Sequence, residues 1–156
     1  MESSDTIKGR FPTLLSDVPS TNKNETVILL NDKSKLKTVV GEIKNHFDIL
    51  FMLMVVDKPP KVFEMNYVFT NYSKNDILTL RVNIDRNKPS VDSISNLLGS
   101  ADWEEREVYD MFGISFKGHK DLRRILLPED WPGRPLRKDF QVTDEVRNWT
   151  GLDLKF

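Results

Sequence analysis

Two stretches of strict alternation, Phe63, Met65, Tyr67, Phe69 and then Leu78, Leu80, Val82, Ile84, limit the folds open to this chain more than any other feature. Successive side chains of an extended strand point to opposite faces, so each stretch reads as a strand with one apolar face. The intervening Asn71-Tyr72-Ser73-Lys74-Asn75 is turn-like, and two antiparallel strands follow.

The flanking segments extend this pattern. Thr26-Val27-Ile28-Leu29-Leu30 is a short apolar run that suits a buried strand, and Asn31-Asp32 can cap the helix after it. Leu36, Val39, Val40, Ile43 and Phe47 fall on one side of that helix. Ile49 to Val56 is apolar throughout and short, which predicts a strand buried on both faces, and Pro59-Pro60 ends it. Ser90 can cap a short helix carrying Val91, Ile94, Leu97 and Leu98, with Gly99 as its stop. A further helix opens at Asp102-Trp103-Glu104-Glu105, where Asp102 can accept the N3 amide proton and Glu105 can reach back, and it closes at Gly113.

The expected fold class is therefore α+β: a mixed or antiparallel sheet with packed helices in the order β-α-β-β-β-α-α, followed by an extended arm. Residues 1–24 are rich in Ser, Thr, Asn, Asp and Pro without a sustained apolar period and predict a flexible or draped leader. The α/β domain covers 25–113. Residues 114–156 form the arm, because Gly118, Pro128, Pro132, Gly133 and Pro135 forbid long regular elements there. The whole chain, 156 residues, is the size of one domain plus such an arm.

Several chemistries are excluded by residue type. There is no cysteine, which removes thiolate zinc sites, iron–sulfur ligation and cysteine nucleophiles. His46 and His119 are the only imidazoles, and the seven glycines never form GxGxxG or GxxxxGK[ST]. Gly113-Ile114-Ser115-Phe116-Lys117 lacks the last glycine of a nucleophile elbow. The longest apolar run is far below the ~20 residues of a membrane-spanning helix. The N-terminus begins acidic and polar, without the marks of a signal or transit peptide, as in a bacterial or organelle-encoded protein.

The formal charge of −1 names no partner, but it hides a local contrast. Residues 102–110 hold five acids against Arg106 alone, and residues 117–138 hold seven basic residues against three acids. Asp110 has Glu107 at i−3 and Arg106 at i−4, so it is a candidate for a charge-neutralised pair or for half of a proton-handling dyad; the alternative is a solvated, salt-bridged helix face. His119 lies in a loop, where it can pack, meet a partner or relay a proton. Arg123, Arg124, Arg137 and Lys138 can bind nucleic acid or lipid head groups, although their acidic neighbours weaken that field; arginine also pairs with carboxylates at protein interfaces. Trp131 and Trp149, on an arm with little core of its own, point to docking.

The motif Glu105-Arg106-Glu107, two residues, Asp110-Met111-Phe112, six residues, His119, three residues, Arg123, one residue, Ile125-Leu126 resembles the signature of one family. Pro128-Glu129-Asp130-Trp131 and Pro135-Leu136-Arg137-Lys138-Asp139-Phe140 extend the likeness, so that it spans about a quarter of the chain. The family is the 30-kDa subunit of respiratory complex I, the proton-translocating NADH:quinone oxidoreductase. The resemblance implies a non-redox subunit of the hydrophilic arm, with no catalytic, cofactor-binding or metal-binding residue of its own. FMN, iron–sulfur clusters and quinone are then expected in partner subunits. It further implies packing against the 49-kDa subunit and neighbouring iron–sulfur subunits, no nucleic acid, and membrane contact only through the complex. The implied location is the cytoplasmic face of the bacterial inner membrane, or the matrix face of a mitochondrion. Glu105, Arg106, Glu107, Asp110, His119, Arg123, Arg124, Trp131 and Arg137 become structural and interface residues.

Two kinds of alternative remain open at this stage. Membrane-bound hydrogenases, plastoquinone-reducing relatives and coenzyme F420 dehydrogenases contain similar subunits. A free-standing RNA-binding module would use Phe63, Tyr67 and Phe69 with the basic arm, and an independent acid/base enzyme would use Asp110 and His119.

Overall fold

The computed structural model describes residues 2–20, 22 and 24–151; the rest of the expected leader and arm, residues 1, 21, 23 and 152–156, lies outside them. In chain order the elements are α1 (Glu2–Arg10), β1 (Leu15–Val18), β2 (Glu25–Leu30), α2 (Leu36–Ile43), β3 (Ile49–Lys58), β4 (Val62–Asn71), β5 (Asp76–Asp85), β6 (Ser90–Asp92), α3 (Ala101–Phe112), β7 (Ser115–Lys117) and α4 (Asp144–Thr150). A five-stranded sheet has the order β1-β2-β5-β4-β3, and β6 pairs with β7 in a small parallel ladder. The pairs β1/β2, β3/β4 and β4/β5 are antiparallel and β2/β5 is parallel. The fold is thus the α+β class with a mixed sheet.

The alternation of β4 and β5 builds the core directly. Phe63, Met65, Tyr67 and Phe69 face Ile84, Val82, Leu80 and Leu78 across the ladder, and all eight are buried. Against this face lie Leu36, Val39, Val40 and Ile43 of α2 and Ile7 of α1, each fully buried. Asp32 caps a single 3-10 turn, Lys33–Lys35, which leads into α2; its carboxylate accepts the Ser34 N–H at 2.9 Å. Because Phe63, Tyr67 and Phe69 are sealed inside, they offer no platform for stacking bases, and the RNA-binding alternative loses its structural basis.

Three expectations are corrected. The flexible leader is built into the domain: Leu15–Val18 forms an edge strand on β2, and Ile7 of α1 is buried in the core. One apolar anchor in a polar helix and a four-residue strand leave too little periodicity to read. Ser90–Leu98 is not a helix, because Ser90–Asp92 pairs with Ser115–Lys117 and the next two residues are held by Glu105. Strand β3 is not buried on both faces: it is an edge strand, and Phe51, Met52, Met54 and Val56 are exposed.

Candidate functional site

Helix α3 carries most of the motif, and its two faces are used differently. Ala101, Glu105, Arg106, Val108, Asp110 and Met111 point inward, while Trp103 and Glu107 are exposed. Asp102 is not the N-cap, since the helix begins one residue before it, and Glu105 does not reach back. The Glu105 carboxylate instead accepts the Ser93 hydroxyl at 2.6 Å and the Ile94 N–H at 2.7 Å. Burial pushes this carboxyl up to about 6 despite those two bonds and the His119 ring 3.9 Å away. Tyr67, also sealed, has its phenol raised well above the usual range by burial and by the Glu105 charge.

The enclosed His119 ring tethers the start of the arm to the same end of α3. Its Nδ1 accepts the Asp121 N–H at 3.1 Å, which leaves Nε2 to donate toward the Asp102 carbonyl at 3.2 Å.

Asp110 anchors the arm itself. Its Oδ2 accepts three consecutive backbone N–H groups, from Ile125 at 3.1 Å and from Leu126 and Leu127 at 2.9 Å. Successive N–H groups converging on one oxygen form an anion nest, and the fully buried carboxylate fills it. Arg124 and Arg134 stand 3.7 and 3.9 Å from its other oxygen. Asp110 and His119 therefore engage different partners and do not form an acid/base pair.

The C-terminal end of α3 is closed by the arm. A helix leaves its last four carbonyls without intrahelical partners. Here Arg134 donates to those of Tyr109 and Asp110 at 3.0 Å, the Leu136 N–H to Met111 at 3.3 Å, and Arg137 Nε to Phe112 at 2.6 Å. The positive side chains also meet the negative end of the helix dipole. Arg134 stacks over Tyr109 and Arg137 over Phe63, at 4.7 and 5.3 Å from the ring centres. Gly113, at φ +72°, allows this approach: an added Cβ would lie 3.1 Å from Arg134 Nε and 3.3 Å from Arg137.

A second anchor joins the arm to the sheet. The Lys138 N–H donates to Asp57 at 2.8 Å, and Arg86 bridges Asp57 and Asp139 at 2.7 and 2.6 Å. The Arg86 hydrogen bonds hold the Asp57 carboxyl below the usual carboxylate range.

Of the residues picked from the sequence, Asp110, Arg124 and Arg137 converge on this clamp. Arg106 supports it by donating to the Arg123 carbonyl at 3.3 Å. Glu105 and His119 form the neighbouring tether. Trp131 packs edge-on against Trp149 at 4.9 Å, away from the anchor. The Arg123 guanidinium is 65% exposed beside Asp121, and Glu107 stands apart. Asp57, Arg86 and Arg134 were missed as site residues. Gly133 before Arg134 marks a turn but not its target, and the Asp57–Arg86 pair is 29 residues apart in the chain.

Among the described residues no group of three His, Asp or Glu side chains is placed to hold a metal, and no helix is long and apolar enough to cross a membrane. A groove of about 460 Å³ lies between β3 and α3, lined by apolar side chains and two glutamates. The architecture is a sheet domain with a charge-clamped extended arm.

Residues 29–146 match the model of the respiratory-chain NADH dehydrogenase 30-kDa subunit. The chain belongs to that family. It is 31% identical over 140 residues to the C subunit of the NADH-quinone oxidoreductase of Herpetosiphon aurantiacus, covering 85% of this chain and 79% of that one. It is 37% identical over 129 residues to the C/D subunit of the NADH-quinone oxidoreductase of Buchnera aphidicola subsp. Cinara cedri, covering 74% of this chain and 22% of the relative. Several curated relatives are much longer, and the chain spans half or less of their length. A chain of the membrane-bound sulfane sulfur reductase, an archaeal respiratory membrane complex, shares the fold with a TM-score of 0.82 at 20% identity, covering 99% of this chain and 93% of that one.

Proposed function

We propose that this chain is a non-redox structural and assembly subunit in the hydrophilic arm of a proton-translocating NADH:quinone oxidoreductase. It supports electron transfer from NADH to quinone by holding other subunits in place. FMN, iron–sulfur clusters and quinone sit in those companions, among them the 49-kDa subunit and neighbouring iron–sulfur subunits. The chain itself supplies no catalytic residue. It is peripheral, on the cytoplasmic face of a bacterial inner membrane or the matrix face of a mitochondrion, and meets the membrane only through the complex.

Family membership together with the clamp supports this reading. Several charged groups fix the arm: Asp110 Oδ2 accepts three main-chain N–H groups, and Arg134 and Arg137 donate to carbonyls at the end of α3. Such groups position a surface rather than turn over a substrate. Relatives described as C/D subunits, of which this chain matches about a fifth, join the matching segment to a second subunit in one polypeptide, which favours packing beside that subunit.

The test is purification of the native protein in mild detergent followed by density-gradient sedimentation. Comigration with NADH:quinone reductase activity and iron–sulfur signals is expected, and a freely sedimenting monomer overturns the reading. A second reading, the equivalent subunit of a related respiratory assembly, is favoured by the fold shared with the sulfane sulfur reductase chain. An assembly that comigrates but does not oxidise NADH decides for it.

A further inference from the structure

The apolar run that reads as a buried strand is on the surface. Phe51 is 58% exposed, Met54 46% and Val56 41%. Contiguous exposed apolar surface of this kind marks a site of association. Together with Val108, Met111 and Leu136, these side chains border the groove between β3 and α3. Three of the chain's five methionines, Met52, Met54 and Met111, line it, which gives an adaptable wall.

The charges in the groove select the occupant. Glu104 and Glu107 are its only charged lining residues, and the Glu107 carboxylate has no ion pair or hydrogen bond among the described residues. Negatively charged lipid surfaces are repelled by such a rim. A second copy meeting the first face to face would set glutamates against glutamates, with no cation in either lining.

An added β-strand is also disfavoured. Glu104 already accepts the outward Leu53 N–H at 2.8 Å. Leu53 and Tyr67 are therefore a non-hydrogen-bonded pair of the β3/β4 ladder, and by the two-residue period so are Val55–Met65 and Asp57–Phe63. Strand pairing along β3 is thus interrupted at Leu53 by Glu104 and again by the bulge between Leu50 and Met52, which leaves only short stretches of edge.

We propose that this groove receives an apolar segment of a companion subunit, seated by side chains, with a lysine or arginine placed to meet Glu107 and Glu104. The proposal rests on the reading of the chain as a subunit of a respiratory assembly. It adds a docking surface distinct from the arm.

The test uses the assembled complex. With p-benzoylphenylalanine in place of Met54, irradiation is expected to join this chain to an apolar segment of another subunit that carries a basic residue. Met54→Asp and Glu107→Lys, both at exposed positions, are expected to leave the fold's melting unchanged. Each should raise loss of the chain from the complex during a salt wash, by about tenfold for Met54→Asp. Reversing the basic residue of the cross-linked segment to Glu should restore retention of the Glu107→Lys chain. A cross-link to a second copy, to lipid or to an acidic segment overturns the proposal, as does wild-type retention of both variants. If the unaltered chain never comigrates with an assembly, the functional reading fails; if it does and only the groove variants behave as wild type, the groove alone is wrong.

Discussion

Four cross-strand pairs on the inner face of the β4–β5 hairpin, from Phe63 with Ile84 to Phe69 with Leu78, are apolar and buried. The segment from 118 to 143 contains no helix or strand and is fixed at Asp110, at the last carbonyls of α3 and at Asp57. The hairpin is held by area, which is non-directional and forgiving of shape within a fixed volume. The arm is held by directional bonds to a few charged groups, where geometry and ionisation both count. A conservative change should therefore be mild in the first region and severe in the second.

Asp110→Asn should separate the two most clearly. It keeps the size of the side chain but removes the charge that three N–H groups and two arginines face. We expect a loss of about 3–5 kcal/mol, because it neutralises a fully buried carboxylate on which three N–H groups and two half-buried arginines converge. Leu80→Met, equally conservative inside the hairpin, should cost below about 1.5 kcal/mol. Urea denaturation measures both. Limited trypsin digestion should show cleavage after Arg123 or Arg124 in the first variant only, and an uncut arm in Asp110→Asn would mean that the nest is not the anchor.

Acid should act on two carboxyls, Glu105 of the tether and Asp57 of the arm's second anchor, in opposite directions. The Glu105 carboxyl titrates near 6 in the folded chain against 4.5 in the unfolded one. Its raised value means that the folded state holds its proton longer, so the contribution is fully present below about 4.5 and is lost as pH rises through about 6. The amplitude is on the order of 2 kcal/mol. Asp57 is displaced downward, so its contribution is present at neutral pH and lost as pH falls below its ordinary range. Stability followed from pH 7 downward should first gain from Glu105 and then lose from the arm. Glu105→Gln should remove the first slope and leave the second.

Gly113→Ala tests how closely the arm must approach. Alanine at φ +72° costs about 1–2 kcal/mol from the left-handed conformation alone. Arg134 and Arg137 would also have to give way, so trypsin sensitivity of the arm should rise together with the fall in melting temperature. Destabilisation without added sensitivity would show that the helix end, not the arm, bears the change.

How much of this is legible in the sequence follows from the same contrast. Strands β4 and β5 and helix α2 are readable because burial on one face imprints a period of 2 or 3.6 on residue type. Asp110 stands out by motif and by its charged neighbours, yet its partners are main-chain N–H groups of Ile125–Leu127, which any residues could supply. The fate of Ser93 and Ile94 was hidden likewise, because Glu105 twelve residues on decides it. Strand β3 misleads for a further reason: an apolar run reports that water is to be excluded, but not whether this chain or another excludes it.

The smallest expected effect falls on a residue that sequence reasoning ranked high. Arg123 and Arg124 are adjacent, both were expected to meet carboxylates of a partner, and the structure divides them. Arg124 is turned inward, 14% exposed, 3.7 Å from Asp110 and donating to the Gly133 carbonyl at 3.4 Å. Arg123 points its guanidinium to solvent, and its main chain serves the fold: the carbonyl accepts from Arg106 and the N–H donates to the Asp121 carbonyl. An exposed pair such as Arg123–Asp121 contributes little, so Arg123→Ala should change the stability of the isolated chain by no more than about 0.5 kcal/mol. The same substitution then becomes a clean probe of the assembly: weaker retention in the complex, without loss of stability, assigns the Arg123 guanidinium to a partner. Unchanged retention leaves the Arg123 guanidinium without a role at a partner.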